Sequence, residues 1–380
     1  MAKTGPRIAI LGAGPIGLEA AVAALSLGLP FTVYEAGQPG EYVGRWGFAK
    51  MFSPWGWNST SQGLAALRRE GYERLLPAAN AILSGKEFRD NYLQPLAALP
   101  GIKERLRTQT TVAAIGRTDR RKGESSLRAS PFRLLLRGPN AVESFEAADA
   151  ILDCTGTYGR PNWIGDGGIP AAGEFASRQF IPYWLEDVLG AKKANYLGKS
   201  ILVLGSGYSA ASTVCDLMAL ADENPSTWVI WLTSGPRSQP LVRIPNDPLR
   251  ERDRLAARAN QLATRCDGNL ECHAGCRIEE VHCSGAEKGY RVVAVLHGER
   301  RTWEAERLIA NVGYKPDAVL TAELNVDEPA GDIATGEPNY FILGSKSAGR
   351  RSGFLLKDGH EQISRAFATI LGQPKLALAA

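Results

Sequence analysis

Arg7-Ile-Ala-Ile-Leu-Gly12-Ala-Gly14-Pro15-Ile16-Gly17-Leu-Glu-Ala-Ala is the stretch that decides the fold. Four apolar residues predict a short buried strand, three glycines a turn, and the small residues after them a helix. Each glycine in such a unit has a physical task. The first makes the tight turn, the second lets the backbone approach a pyrophosphate, and the third lets helix pack on strand. The helix N-terminus then offers unspent N–H groups and the positive end of its dipole. An acidic residue about 20 positions on is expected to bind ribose hydroxyls. Glu35 stands there, at the end of the apolar run Phe31-Thr-Val-Tyr. A tight turn in any α/β protein would account for the glycines alone. It would not account for strand, helix and Glu35 in register.

The pattern recurs at Ser200-Ile-Leu-Val-Leu-Gly205-Ser-Gly207-Tyr208-Ser209-Ala210-Ala-Ser-Thr, with Ala210 where the first unit has Gly17. The strand that follows, Trp228–Leu232, leads into Thr233-Ser-Gly-Pro-Arg237 and carries no carboxylate. A carboxylate there would hold the 2′-hydroxyl of NAD and repel a 2′-phosphate. Its absence, with Arg237 and hydroxyls nearby, favours NADPH over NADH. The competing reading makes Arg237 an ordinary surface residue.

Bulk properties agree with a globular α/β protein. The chain has 380 residues, 44% of them hydrophobic and 22% charged, enough for two or three domains with substantial cores. A net charge of +4 gives no reason to invoke nucleic acid. The densest basic stretch (Arg117, Arg120, Arg121, Lys122, Arg128) is interleaved with Gly123, Ser125 and Ser126 and reads as a solvated loop. Residues 8–29 are apolar but broken by glycines, Pro15 and Glu19, so no cationic n-region leads into an uninterrupted apolar run, and neither a signal peptide nor a membrane span is expected. A soluble, cytoplasmic protein follows as an expectation. Six cysteines in a chain of this length do not make a disulfide scaffold.

Further elements can be placed along the chain. Residues 38–63, rich in Gly, Trp and Pro, predict a long ordered loop, and Lys86–Leu99 a helix. Strands are expected at Thr110–Ile115, Phe132–Arg137, Val142–Phe145 and Ala150–Asp153, and a glycine-rich linker at 156–173. The second unit continues with helices at Tyr208–Asp222 and from Asp247-Pro248 to Thr264. Strands follow at Leu270–Cys283 with a break, Arg291–Leu296 and Leu308–Ala310. The end, Tyr340–Leu343 then Asp358–Leu371, reads as strand, glycine loop, helix.

With both glycine loops in place, the chain resembles the two-dinucleotide-binding-domain flavoproteins, which include thioredoxin-reductase-like enzymes and flavin-containing monooxygenases. Ile151-Leu-Asp-Cys-Thr155-Gly156-Thr is similar to their Ala-Thr-Gly segment. Thr111-Val112 falls where a backbone amide reads the adenine. Asn311-Val-Gly-Tyr-Lys-Pro316 resembles the Gly-Tyr-x-Pro turn, Gly344 and the helix after it the closing flavin segment, and Gly44-Arg45-Trp46 the Gly-Gly-x-Trp stretch of the monooxygenases. The resemblance implies FAD at the N-terminal loop. It implies a discontinuous FAD domain of residues 1–162 and 308–380, with an NAD(P)H domain of residues 163–307 inserted as a second Rossmann-like unit.

Several departures bear on function. No redox Cys-x-x-Cys is present. The nearest approach is Cys272-x-x-x-Cys276, with Cys266, His273, His282 and Cys283 nearby, a spacing that fits no standard zinc pattern. The monooxygenase fingerprint Phe-x-Gly-x-x-x-His has no counterpart in Gly165–Val188, since His273, His282, His297 and His360 all come later. Ser345 and Lys346 replace the carboxylate of the closing Gly-Asp. With Arg350, Arg351 and Lys357 they leave a basic segment for an anionic substrate, the flavin phosphates or solvent. The aromatic stretch Phe52-Ser-Pro-Trp55-Gly-Trp57-Asn58 is the candidate for chemistry: Trp57 to exclude water and the Asn58 amide to bond the flavin. A packed loop is the alternative. The expected activity is oxygenation of a small nitrogen or sulfur nucleophile by an NADPH-reduced flavin. The alternative is transfer of the same electrons to a quinone, dithiol or protein acceptor. A non-enzymatic flavin sensor has no use for the second glycine loop. The identity of the substrate and the oligomeric state are not written in these residues, and no metal site is expected.

Overall fold

The computed structural model describes residues 5–124, 130–265, 268–283, 285, 288–327, 331–351, 353–374 and 376. Ser125, Ser126 and Arg128 of the basic stretch, and Cys266, lie outside the described residues. The strands, in chain order, are β1 Ile8–Leu11, β2 Phe31–Tyr34, β3 Leu106–Arg107, β4 Thr111–Arg117, β5 Phe132–Arg137, β6 Glu143–Ala148, β7 Ala150–Asp153, β8 Ser200–Leu204, β9 Trp228–Thr233, β10 Leu270–Ala274, β11 Arg277–Cys283, β12 Tyr290–Leu296, β13 Glu299–Ala305, β14 Arg307–Ala310 and β15 Tyr340–Ile342. The longer helices are α1 Pro15–Ser26, α2 Ser61–Arg69, α3 Tyr208–Glu223, α4 Arg250–Arg265 and α5 Leu356–Leu371.

Two units separate cleanly: Met1–Arg160 with Lys315–Ala380, and Pro161–Tyr314. The first holds a parallel sheet of order β15-β7-β1-β2-β3 and an antiparallel sheet β4-β5-β6. The second repeats the plan with parallel β10-β9-β8-β14 and antiparallel β11-β12-β13. In each parallel sheet the strand that precedes the glycine turn has its successor on one side and a later strand on the other. That reversal of strand order opens a crevice at the carboxyl ends, where ligands bind in such sheets. The chain returns to the first unit after Tyr314, not at residue 308. The reason is that β14 pairs with β8 and belongs to the second sheet.

The helices follow from their residues. α1 is buried from Ile16 to Ala24, a stretch that is apolar or small except for Glu19, and Pro15 opens it. α4 buries Ala256, Ala259, Asn260 and Ala263, and α5 buries Gly359, His360, Ile363, Ala366 and Phe367; both sets have the spacing of one helical stripe.

Three expectations need correction. The long loop at 38–63 contains helical turns at Glu41–Arg45 and Trp55–Asn58, then the start of α2, whose Thr60 hydroxyl caps the Gly63 N–H. The helix expected at Lys86–Leu99 runs from Gly85 to Ala98 but widens to a π-turn at Arg89–Leu93. β13 was not expected, because Glu299-Arg-Arg-Thr-Trp-Glu-Ala is a charged, largely exposed edge strand held by pairing with β12.

Candidate functional site

In the first unit, Gly12 closes β1 and Gly14 is the N-cap of α1, with no side chain capping the helix. A Cβ on Gly14 would meet nothing within 4 Å, so the backbone there is open to an incoming group. A Cβ on Gly17 would lie 1.9 Å from the Gly12 carbonyl oxygen, which is why helix and strand can meet only with glycine at this position. Glu35 reaches back to this turn. Its carboxylate accepts from Ala13 N–H at 2.7 Å and Gly37 N–H at 2.8 Å. Burial pushes its pKa up, against those two bonds. Thr110 N–H bonds the Glu35 carbonyl at 2.9 Å, so β4, with buried Val112, starts beside the same residue.

The Thr155–Gly156 turn and the closing turn at Gly344 flank this loop. A Cβ on Gly12 would strike the Cys154 carbonyl oxygen at 2.9 Å, and one on Gly344 would press on Ile16 at 3.3 Å. Gly344 N–H donates to Gln362 Oε1 of α5 at 2.8 Å. Lys346 does not face solvent or an open cradle, as the basic segment suggested. It is buried and donates to Asp153 Oδ2 at 2.6 Å. The same carboxylate accepts from Tyr340 Oη at 2.8 Å and Thr155 Oγ1 at 2.6 Å. Burial acts to raise the Asp153 pKa; Lys346 and the hydroxyls outweigh it and hold the group below the usual carboxylate value.

The aromatic stretch is built differently from the expectation. Asn58 is buried and both ends of its amide are used: Oδ1 accepts from Ser53 Oγ at 2.7 Å and Nδ2 donates to the Ser53 carbonyl at 3.0 Å. It staples its own loop and is not a free hydrogen-bonding group. Trp57 is half-buried, with Lys357 Nζ 4.1 Å from its ring centroid. Arg45 is exposed and pairs with Glu41 at 2.9 Å, while Trp46 packs on Gly85, whose Cβ would lie 2.6 Å from the indole. Behind the stretch sits a buried carboxyl that the sequence did not single out. Glu19 accepts from Thr60 Oγ1 at 2.8 Å and from the Tyr92 hydroxyl. Burial pushes its pKa up to about 7, against those hydrogen bonds.

In the second unit Gly207 caps α3 without a side-chain partner, and a Cβ on it would meet nothing within 4 Å. Tyr208 and Ser209 open the helix, both half-buried, and Ala210 is fully buried behind them. The tight place here is Gly205 at φ 130, where a Cβ would lie 2.2 Å from the Asn311 carbonyl oxygen. Trp231 Nε1 donates to the Gly205 carbonyl at 2.7 Å, and Thr213 Oγ1 to Asn311 Oδ1 at 2.7 Å; both fix the turn from behind. At the end of β9 the Thr233 hydroxyl is buried with no hydrogen-bond partner among the described residues. Arg237 is exposed in the loop just beyond it.

The cysteine cluster is spread over two strands. Cys272 and His273 lie on β10, His282 and Cys283 close β11, and Cys276 between them donates to the His273 carbonyl. Burial raises the Cys276 thiol to about 11, which makes it a poor nucleophile or ligand. No group of three metal-ligating side chains occurs among the described residues, and no helix there is long and apolar enough to cross a membrane. A surface depression of about 580 Å³ lined by Ser200, His282, Lys288, Arg291, Glu304 and Glu306 opens at the start of β8, the end opposite Gly205.

Two parallel sheets, each with a glycine turn at its switch point and an antiparallel three-stranded layer, define the fold of the two-dinucleotide-binding-domain flavoproteins. No protein-family profile matches the chain, and no curated protein matches it by sequence. Solved structures match over nearly the full length. The bacillithiol disulfide reductase of Bacillus cereus superposes with a TM-score of 0.74 at 17% identity, covering 97% of this chain and 99% of the reductase. The FAD-bound cadaverine monooxygenase of Erwinia amylovora gives 0.69 at 16% identity, covering 99% and 96%. The ornithine N-hydroxylase of Kutzneria sp. 744, crystallised with reduced FAD, NADP+ and L-ornithine, gives 0.69 at 16% identity, covering 97% and 99%.

Proposed function

We propose that this protein is an FAD-dependent oxidoreductase in which NADPH reduces the flavin, acting as a monooxygenase on a small nitrogen or sulfur nucleophile. One observation carries the cofactor reading: two uncapped helix N-termini, each behind a second glycine with nothing within 4 Å of its Cβ position. Both fit a pyrophosphate, whose charge the exposed N–H groups and helix dipole favour. In the first unit, Ile16 and Gly17 open the helix and Glu35 stands ready for ribose hydroxyls. The Thr155–Gly156 and Gly344 turns would line the remainder of an FAD site. In the second, the exposed Arg237 and the lack of a carboxylate at the end of β9 suit a 2′-phosphate better than a 2′-hydroxyl. A flavin held there would supply the two-electron chemistry, taking a hydride from a nicotinamide cofactor. The protein's part is to hold both cofactors and to exclude water with Trp46 and Trp57.

The absence of a Cys-x-x-Cys supports oxygenation over self-contained disulfide reduction. So does the likeness to a cadaverine monooxygenase and an ornithine N-hydroxylase. The second reading, electron transfer to a quinone, dithiol or protein, draws on the likeness to a disulfide reductase. Arg350, Arg351 and Lys357 remain exposed in the closing segment and favour a substrate with an anionic group. Free cysteines suit a cytoplasmic protein. The test is NADPH consumption with panels of amines, amino acids and thiols under isotopically labelled oxygen. Product carrying one labelled oxygen supports oxygenation. Consumption driven by quinones or disulfides, with no label in product, selects the second reading.

A further inference from the structure

Asp153 and Lys346 form a fully buried ion pair in the first unit, with side-chain exposures of 0% and 1%. Such a pair adds little net stability. Removing two charges from water costs several kcal/mol each, and apolar residues of similar size often serve as well or better. Stability therefore gives a weak reason for a lysine at this depth, while geometry gives a stronger one. Asp153 Oδ1 accepts from both the N–H (3.2 Å) and the hydroxyl (2.6 Å) of Thr155, which fixes the turn leading to Gly156. Oδ2 accepts from Lys346 at 2.6 Å and from Tyr340 at 2.8 Å, which fixes the closing turn at Gly344–Lys346. A Cβ on Gly156 would sit 3.5 Å from Ser345 Oγ, so the two turns lie side by side. Each also abuts the glycine loop, one at Gly12 and the other at Ile16.

We propose that Lys346 and Asp153 are positioning residues for the flavin: one buried carboxylate ties together the two turns that border the first glycine loop. Lys346 supplies the cation that keeps that carboxylate ionised and its bonds in place, and it does not itself touch the cofactor. This inference rests on FAD occupying the first unit. The lysine that stands in the closing segment where the resemblance leads one to expect a carboxylate thereby gains a partner and a task.

The test is FAD titration of the apoprotein by fluorescence, with the apoprotein Tm as a second readout. Lys346→Met strands a buried charge; we expect a lower Tm and FAD binding weakened about ten-fold or more. The double variant Asp153→Asn with Lys346→Met carries no unpaired charge. We expect its Tm to recover while its FAD affinity stays about ten-fold below wild type. Tyr340→Phe deletes a single hydrogen bond and is the milder arm that folds regardless; about three-fold weaker FAD binding is expected. Wild-type affinity in the double variant or in Tyr340→Phe overturns the positioning role and leaves the pair purely structural. Failure of the wild-type apoprotein to bind FAD is a separate result, and it removes the functional reading beneath this one.

Discussion

The first glycine turn closes on itself and the second closes on a neighbouring strand. At the first turn the narrowest contact is Gly17 against the Gly12 carbonyl; at the second it is Gly205 against the carbonyl of Asn311, just past β14. This difference explains why the third position must be glycine in one unit and can be Ala210 in the other. The same motif is thus held rigid by different neighbours, and a rule about its glycines transfers between units only with those neighbours known.

Substitutions can break this comparison directly. Gly17→Ala places a Cβ 1.9 Å from a backbone oxygen that cannot yield. We expect destabilisation above about 3 kcal/mol and loss of FAD from the purified protein. Gly205→Ala meets Asn311 at 2.2 Å and needs a φ of 130, so NADPH binding should be lost while flavin content stays normal. Loss of flavin in that variant would mean that the two units do not fold independently. Arg237→Ala should raise the KM for NADPH about ten-fold and leave that for NADH unchanged; equal effects on both would remove the 2′-phosphate role. Ala210→Gly should be the mildest, costing no more than about 1 kcal/mol, because the helix already clears the turn.

A pH experiment probes the first unit from another side. Glu19, buried in α1, has its folded pKa raised to about 7, mainly by burial. Its contribution to stability is full below the unfolded value of about 4.5 and is lost as pH rises through about 7. Glu19→Gln should therefore raise Tm relative to wild type at pH 8, and that advantage should vanish by pH 5. The buried His360, pushed down to about 4 by burial, acts with the opposite sign, costing stability as pH falls below about 6.5. It is present in both proteins and drops out of the difference. A variant that is less stable than wild type at pH 8 would show that the Glu19 carboxylate is stabilising when ionised.

Much of the parallel framework was legible because it is written in local pattern. Ile8–Leu11 and Ile201–Leu204 are uninterrupted apolar runs followed by glycine, and Glu35 follows the first at the required spacing. The site interior was less legible. Asn58 looked like a free amide in an aromatic loop, yet its partner Ser53 lies only five residues away and absorbs both ends of the amide. Lys346 looked like part of an exposed basic cluster because its partner, Asp153, is far off in the chain. A lone aspartate in the buried strand Ala150–Asp153 was the available signal, since a carboxylate in such a place requires a cation or several donors. Thr233 could not be recognised as an orphan from sequence, because only the fold shows that no described residue bonds its hydroxyl.

The most direct test is anaerobic reduction of the purified protein. We expect a yellow protein with one FAD per chain whose oxidised-flavin absorbance is bleached by NADPH, and more slowly by NADH. A colourless protein that takes up no FAD, or a flavin that neither nicotinamide cofactor reduces, would contradict the reading of the two glycine loops as paired cofactor sites.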